Sequence, residues 1–353
     1  MSNSIPTTDS NPSLEESVRS EPTVPMSKCI GPVAHFLWNH LLRRLVDTRK
    51  LVAFYAAIVA IYLGIPENLT LWKNLLILVG FLPVLGFALF FCVAVNMFVH
   101  KRHPALATAQ DVLLERIRSG RAKRTPACDI YFPASTTKTK KSIGIIFFPG
   151  ALVSHTAYAS IAAGLSDQGI LVVMVSLEPV RFVSDLRLAH KITLEALRQV
   201  PPSWKVQEWV LAGHSAGSNL ALNLAVENDD KPIHSSISRV VVCGAGRNEL
   251  GNGSLRAKSN PFRVLVMNGS EDNMVKMIGE KDHNDFVNHL LPPNQEDQQR
   301  DRSIEYTRFI TIQGGNHGQY ADYPKSPRDG DASITAKEQQ RIFVEATTKF
   351  LSE

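Results

Sequence analysis

The sequence predicts an α/β fold, a mainly parallel sheet flanked by helices, with transmembrane helices before it. Three observations carry this. Short apolar runs at 143–148, 170–175, 210–212, 239–243, 264–267 and 309–312 alternate with stretches of helical spacing. Strands that are apolar along their length sit in parallel sheets covered on both faces. The composition, 44% hydrophobic and 20% charged over 353 residues, suits a chain with a sizeable core. It excludes wholesale disorder, collagen-like repeats and coiled coil. Finally, residues 51–65 and 74–99 carry no charged side chain, and a bilayer span needs about 20 apolar residues.

The elements follow in chain order. Residues 1–30, rich in Ser, Thr, Pro and Asn, read as a disordered tail. No apolar core follows Met1, so no signal peptide is expected. Residues 31–103 form the membrane region. Its start mixes Phe36 and Trp38 with Arg43, Arg44, Arg49 and Lys50, which suits an interfacial helix or an ordinary linker helix. The run 74–99 is long enough to span, and Gly80, Pro83 and Gly86 are tolerated in membrane helices. The run 51–65 is short and spans only with tilt or a thinned bilayer. Bases flank both runs on their outer sides, whereas the loop between them holds only Lys73, beside Glu67. Positive flanks mark the cytoplasmic side, so the pair reads as a two-helix hairpin with both ends in the cytosol.

Residues 104–127 read as a basic linker helix, with Pro104 in its first turn and Gly120 as its stop. Residues 128–353 make the α/β domain. Tyr158, Ile161, Ala162 and Leu165 mark one helical face, ended by Gly169. Thr335 and Glu338 form a capping box. It opens a last helix with Ile342, Phe343, Ala346 and Phe350 on one side. No internal repeat is present.

The chemistry concentrates at strand ends. Gly213-His214-Ser215-Ala216-Gly217 lies between a strand at 209–212 and a helix through Leu220 and Leu224. A tight strand-to-helix turn of this kind presents a serine hydroxyl at a helix N-terminus, where the dipole favours developing negative charge. Small residues on either side let neighbouring backbone pass close. Ser215 is therefore the candidate nucleophile. It needs a base and a group to orient that base. Asp272 follows the strand at 264–267 and is the preferred acid, with Glu271 as rival. His317 lies in the glycine-rich stretch Gly314-Gly315-Asn316-His317-Gly318 after the last strand. An oxyanion hole requires two backbone N–H donors. One is expected from Ala216, the other from the Pro149-Gly150 turn, at Ala151 or Leu152. His214 reads as packing in the elbow and, with Leu152, as lining the substrate's side of the site.

With these motifs in order, residues from about 142 onward resemble the α/β-hydrolase superfamily, the "alpha/beta hydrolase fold-5" type. The resemblance rests on 147–153, 209–217, 268–272, 314–323 and 329–334, and leaves out the first 130 residues. It implies an α/β-hydrolase fold and a Ser215, Asp272, His317 triad cleaving a carboxylic or lipid acyl ester through an acyl-enzyme. Ala151 departs from the family, which often has a second glycine there; only its backbone donor is needed. Transfer of the acyl group to an alcohol or thiol uses the same residues, and a non-catalytic protein keeping the fold is the other class.

No substrate is specified. The stretch between Val241 and Asp272 is too short for a large cap domain, which suits an open site for a modest ester or a membrane lipid. Residues 178–185 and 244–261 are the loops that would shape its pocket. No metal-ligand cluster or phosphate-cradling glycine loop is evident, so neither cofactor nor metal is expected. Four scattered cysteines suit reduced thiols in the cytosol. Asn268-Gly269-Ser270 is a formal glycosylation acceptor beside the candidate acid, which disfavours a lumenal catalytic domain. The net charge of +5 raises the question of nucleic acid. However, residues 43–50 carry +3 and residues 101–124 carry +5, which leaves −3 for the remainder. The basicity belongs to the membrane flanks, and no nucleic-acid partner is expected.

Overall fold

The computed structural model describes residue 69 and residues 103–134, 142–178, 186–227, 237–246, 262–290 and 307–353. The tail expected at 1–30 and the membrane runs at 51–65 and 74–99 lie outside the described residues, Leu69 between the runs aside. The same holds for 179–185 and 247–261, most of the two loops expected to shape the pocket. Among the described residues no helix is long and apolar enough to cross a membrane. Those from His103 onward belong to one compact unit.

Helix α1 (Ala107–Arg118) opens that unit. It buries Ala109, Leu113 and Leu114, spaced to share one face. On its outer side Arg116 forks onto Asp167 at 2.8 and 2.7 Å. Strand β1 (Ala122–Arg124) then pairs antiparallel with β2 (Cys128–Tyr131). The segment 104–127, expected as a linker, is thus built into the sheet and the core. Arg116, Arg121 and Arg124 are compatible with this because each is paired with a carboxylate. Buried Asp129 accepts from Arg124 Nε at 2.9 Å, and His155 Nε2 lies 3.3 Å away. His155 and Arg124 outweigh the effect of burial, which acts the other way, and hold that carboxyl well below the usual range.

The remaining elements alternate. They are β3 (Ile143–Phe148), α2 (Ala159–Asp167), β4 (Leu171–Val175), α3 (Leu186–Arg198), β5 (Glu208–His214), α4 (Ala216–Glu227) and β6 (Ile237–Cys243). After these come β7 (Arg263–Gly269), the single turn α5 (Asn273–Lys276), α6 (Glu280–Leu290), β8 (Thr307–Ile312) and α7 (Ala336–Ser352). The sheet order is β1-β2-β4-β3-β5-β6-β7-β8. Among the described residues only the β1–β2 and β2–β4 pairings are antiparallel. All six apolar runs read from the sequence coincide with strands that pair parallel to a neighbour, the run at 170–175 starting one residue ahead of β4.

Alternation along each strand divides the core in two. Ile145, Phe147, Val210, Ala212, Val241 and Leu265 point to one face, under α1, α2 and α7. Ile146, Leu211, Val240, Val242, Val264 and Val266 point to the other, under α3, α4 and α6. Burying one such side chain contributes about 1.5–3 kcal/mol, so the central strands are fixed in register from both sides. That register brings the carboxyl ends of β3, β5, β6, β7 and β8 to one edge. In α7, Thr335 Oγ1 accepts from Glu338 N at 3.2 Å, while the Glu338 carboxylate pairs with Arg341. Phe343 and Phe350 of the expected face are buried, and Ile342 and Ala346 pack beside them.

Candidate active site

The turn from β5 to α4 carries Ser215 at φ 54°, in the left-handed region. Its N–H donates to Cys243 O on β6 at 2.9 Å. Ser218 Oγ, one turn into α4, lies 2.8 Å from Gly213 O and 3.0 Å from Cys243 O. The two elbow glycines are required by close approach. A Cβ on Gly213 would overlap the Gly217 carbonyl, and one on Gly217 would overlap the Phe148 carbonyl. Ala216 is the first residue of α4, so its N–H has no acceptor within the helix and faces the dipole's positive end.

The turn after β3 is the facing wall. Leu152 has φ 64°. Leu152 and Ser215 are the only non-glycine residues with positive φ among those described. Such backbone costs on the order of 1–3 kcal/mol and persists only where its surroundings over-determine it. Here they do. His103 N–H donates to Leu152 O at 2.8 Å, Ser154 N–H donates back to His103 O at 3.0 Å, and Gly150 N–H donates to Tyr158 Oη at 2.9 Å. Ala151 and Leu152 are half-buried.

Asp272 lies just past β7 and is fully buried. One carboxylate oxygen accepts from His317 Nδ1 at 2.9 Å; the other caps α5 by accepting from Val275 N at 2.9 Å. Glu271 turns away to Lys276 Nζ at 3.0 Å and Ser270 Oγ at 3.2 Å. The hydrogen bond to Lys276 holds its carboxyl below the usual range. The structure therefore brings Asp272, and not Glu271, to His317.

The His317 loop is held by buried polar side chains. Gln339 of α7 accepts from Asn316 N at 2.9 Å and donates to Asn316 O at 2.8 Å. Asn316 Nδ2 donates to Gly330 O at 2.8 Å. Asp329 accepts from the N–H groups of His317, Gly318 and Gly330 at 3.1, 2.6 and 2.8 Å. Sequence reasoning gave the 329–334 stretch no role beyond resemblance, placed Tyr158 only on a helical face, and missed Gln339. Tyr158 finds its partners 8 and 56 residues away in sequence and Gln339 finds its partner 23 away, beyond any local pattern.

His214 requires a correction. It is 1% exposed. Its Nδ1 is 2.8 Å from Tyr158 Oη and its Nε2 is 2.9 Å from His317 O. Both polar atoms are used by the protein, so the ring is not a substrate-lining group. Burial, then neighbouring His317, hold its imidazole well below the usual value. Gly244, at φ 59°, fits beneath both rings; a Cβ there would lie 2.9 Å from His317 Cε1 and 3.0 Å from His214 Cδ2. Among the described residues no group of three or more His, Cys, Asp or Glu could hold a metal ion.

A mainly parallel sheet with a strained serine elbow, and a buried acid–histidine pair at the same edge, defines the α/β-hydrolase class. Residues 144–341 match the alpha/beta hydrolase family, and the chain belongs to it. No curated protein matches the chain in sequence. Among solved structures, it is similar to a dienelactone hydrolase-like promiscuous phosphotriesterase from metagenomic libraries, at 16% identity and TM-score 0.43, covering 64% of this chain and 92% of that one. It is also similar to a dienelactone hydrolase from Anabaena variabilis, at 14% identity and TM-score 0.41, covering 66% and 98%. A thermophilic esterase from the Planctomycetes species Thermogutta terrifontis, butyrate-bound, shows 15% identity and TM-score 0.40, covering 64% and 88%.

Proposed function

We propose that the chain is a membrane-anchored serine hydrolase that cleaves a carboxylic ester or a lipid acyl ester. The observation that carries this reading is the 2.9 Å hydrogen bond from His317 Nδ1 to buried Asp272, at the same sheet edge as the strained Ser215 elbow. In this reading Ser215 Oγ attacks the ester carbonyl while His317 Nε2 takes its proton. Asp272 keeps the imidazole in the tautomer that leaves Nε2 free to do so and stabilises the imidazolium that forms. The N–H groups of Ala216 and Ala151 receive the oxyanion. His317 then returns the proton to the leaving alcohol, and water, activated by the same imidazole, cleaves the acyl-enzyme. In this reading the anchor is the pair of uncharged runs at 51–65 and 74–99, and their basic flanks support a catalytic domain facing the cytosol.

The test is labelling of the full chain by a fluorophosphonate probe. Wild type is expected to label and Ser215→Ala is not. A wild type that takes no label between pH 6 and 9 would overturn the reading. Alkaline extraction of membranes tests the anchor separately: release of the chain into the soluble fraction would remove it.

A further inference from the structure

Tyr158 and His214 lie outside the three residues that do chemistry, yet they join two of the elements that carry it. The direction of every proton between them is forced. Gly150 N–H can only donate, and its acceptor is Tyr158 Oη at 2.9 Å. Among the described residues the phenol's other partner is His214 Nδ1, 2.8 Å away, so the buried hydroxyl proton finds an acceptor only if Nδ1 carries no hydrogen. At the other side of the ring, the His317 carbonyl can only accept, and it lies 2.9 Å from Nε2. Nε2 therefore carries the ring's single proton. The chain runs one way: Gly150 N–H to Tyr158, Tyr158 to His214, His214 to His317 C=O. A second proton on His214 would meet the Tyr158 hydroxyl head on.

The two ends decide what the chain is for. Gly150 precedes Ala151 and the strained Leu152, the turn read as the oxyanion wall. His317 is the residue paired with Asp272. We propose that Tyr158 and His214 are positioning residues, a neutral relay that fixes the oxyanion turn and the His317 backbone relative to each other. The relay is sealed. Tyr158 is fully buried and His214 nearly so. The Tyr320 and His317 rings pack tilted against the imidazole at centroid distances of 5.4 and 4.6 Å. These rings, with Tyr158, are the titratable groups in ring contact with it. Burial pushes the phenols of Tyr158 and Tyr320 well above their usual range, so Tyr158 keeps the proton that the relay needs.

The rate consequence rests on the hydrolase reading above, whereas the tautomer does not. The experiment therefore has two arms on the full-length chain in detergent. Nitrogen-15 spectra of histidine-labelled protein are expected to show one imidazole with a bare Nδ1 and a protonated Nε2, unchanged from pH 5 to 8 and absent in His214→Gln. A titrating His214, or the opposite tautomer, overturns the relay whatever the enzyme does. In the kinetic arm, Tyr158→Phe and His214→Phe are expected to lower kcat roughly 10- to 100-fold with KM changed less than about 3-fold, since a buried donor or acceptor loses its partner. His214→Gln, whose amide can accept from Tyr158 and donate to His317, is expected to stay within about 5-fold of wild type. Equal losses in His214→Gln and His214→Phe, or wild-type kcat in folded Tyr158→Phe, would reduce the pair to core filling. Absence of any Ser215-dependent turnover fails the hydrolase reading alone and leaves the spectra to decide the relay.

Discussion

The two halves of the candidate site are built by different physics. The Ser215 elbow is held mainly by backbone, with the Ser218 hydroxyl as its side-chain tie. Strand register, two glycines with no room for a Cβ, and one N–H···O bond to Cys243 fix it. The His317 loop is held by side chains. Gln339, Asn316 and Asp329, all buried, satisfy its N–H and C=O groups one by one. A backbone-held element fails when volume is added. A side-chain-held element fails when a hydrogen-bond partner is taken away.

Substitutions that respect this difference would sharpen it. The largest effect is expected at Asp272. Asp272→Asn can still cap α5, because Asn is as good a cap as Asp, but it favours the wrong imidazole tautomer. kcat should fall by about 10³- to 10⁴-fold, while thermal unfolding changes little. A matching loss of folded protein on circular dichroism would show that the pair is structural. Gly217→Ala comes next. Its methyl meets the Phe148 carbonyl, so the elbow must open, at a cost of roughly 3 kcal/mol or more in denaturant titration. Fluorophosphonate labelling should disappear with it, and a Gly217→Ala protein of wild-type stability would contradict the backbone account.

Gln339→Leu leaves Asn316 N–H and C=O buried without Gln339. About 2–4 kcal/mol of stability should be lost, with labelling of Ser215 retained and turnover reduced. Acid sensitivity is smaller. His214 is held neutral in the fold, below the value near 6.5 that it has when unfolded. As pH falls below about 6.5 the unfolded chain takes up that proton and the fold does not, so stability falls; above that pH the contribution is complete. In His214→Gln this part of the pH slope should be missing from melts between pH 5 and 7. Smallest of all is Glu271→Gln, which removes an exposed pair with Lys276 and should change neither stability nor kcat beyond error.

The same contrast explains what could be read from the sequence. The elbow was legible because its requirements are local: small residues at fixed offsets, a strand before and a helix after. The central strands were legible because both their faces are buried, which leaves an apolar run. Strands β1 and β2 escaped notice because Lys123, Arg124 and Asp129 break any such run, and the pairing of Arg124 with Asp129 shows only in space. The acid was narrowed to two neighbours, Glu271 and Asp272, and one-residue geometry separated them. The positioning roles of Tyr158, Asp329 and Gln339 had no signature, since an ordinary residue becomes a positioning group only through the fold that brings it there.

One short pairing has a practical meaning for where the domain starts. His103 exchanges two backbone hydrogen bonds with Leu152 and Ser154. Leu106 N–H then reaches Asp322 O, five residues past His317, at 2.9 Å. From His103 onward the described chain therefore starts at the catalytic edge, bonded directly to the wall of the site. A truncation placed at 107, ahead of the first helix, would look harmless on paper and would unpin both sides of the site at once.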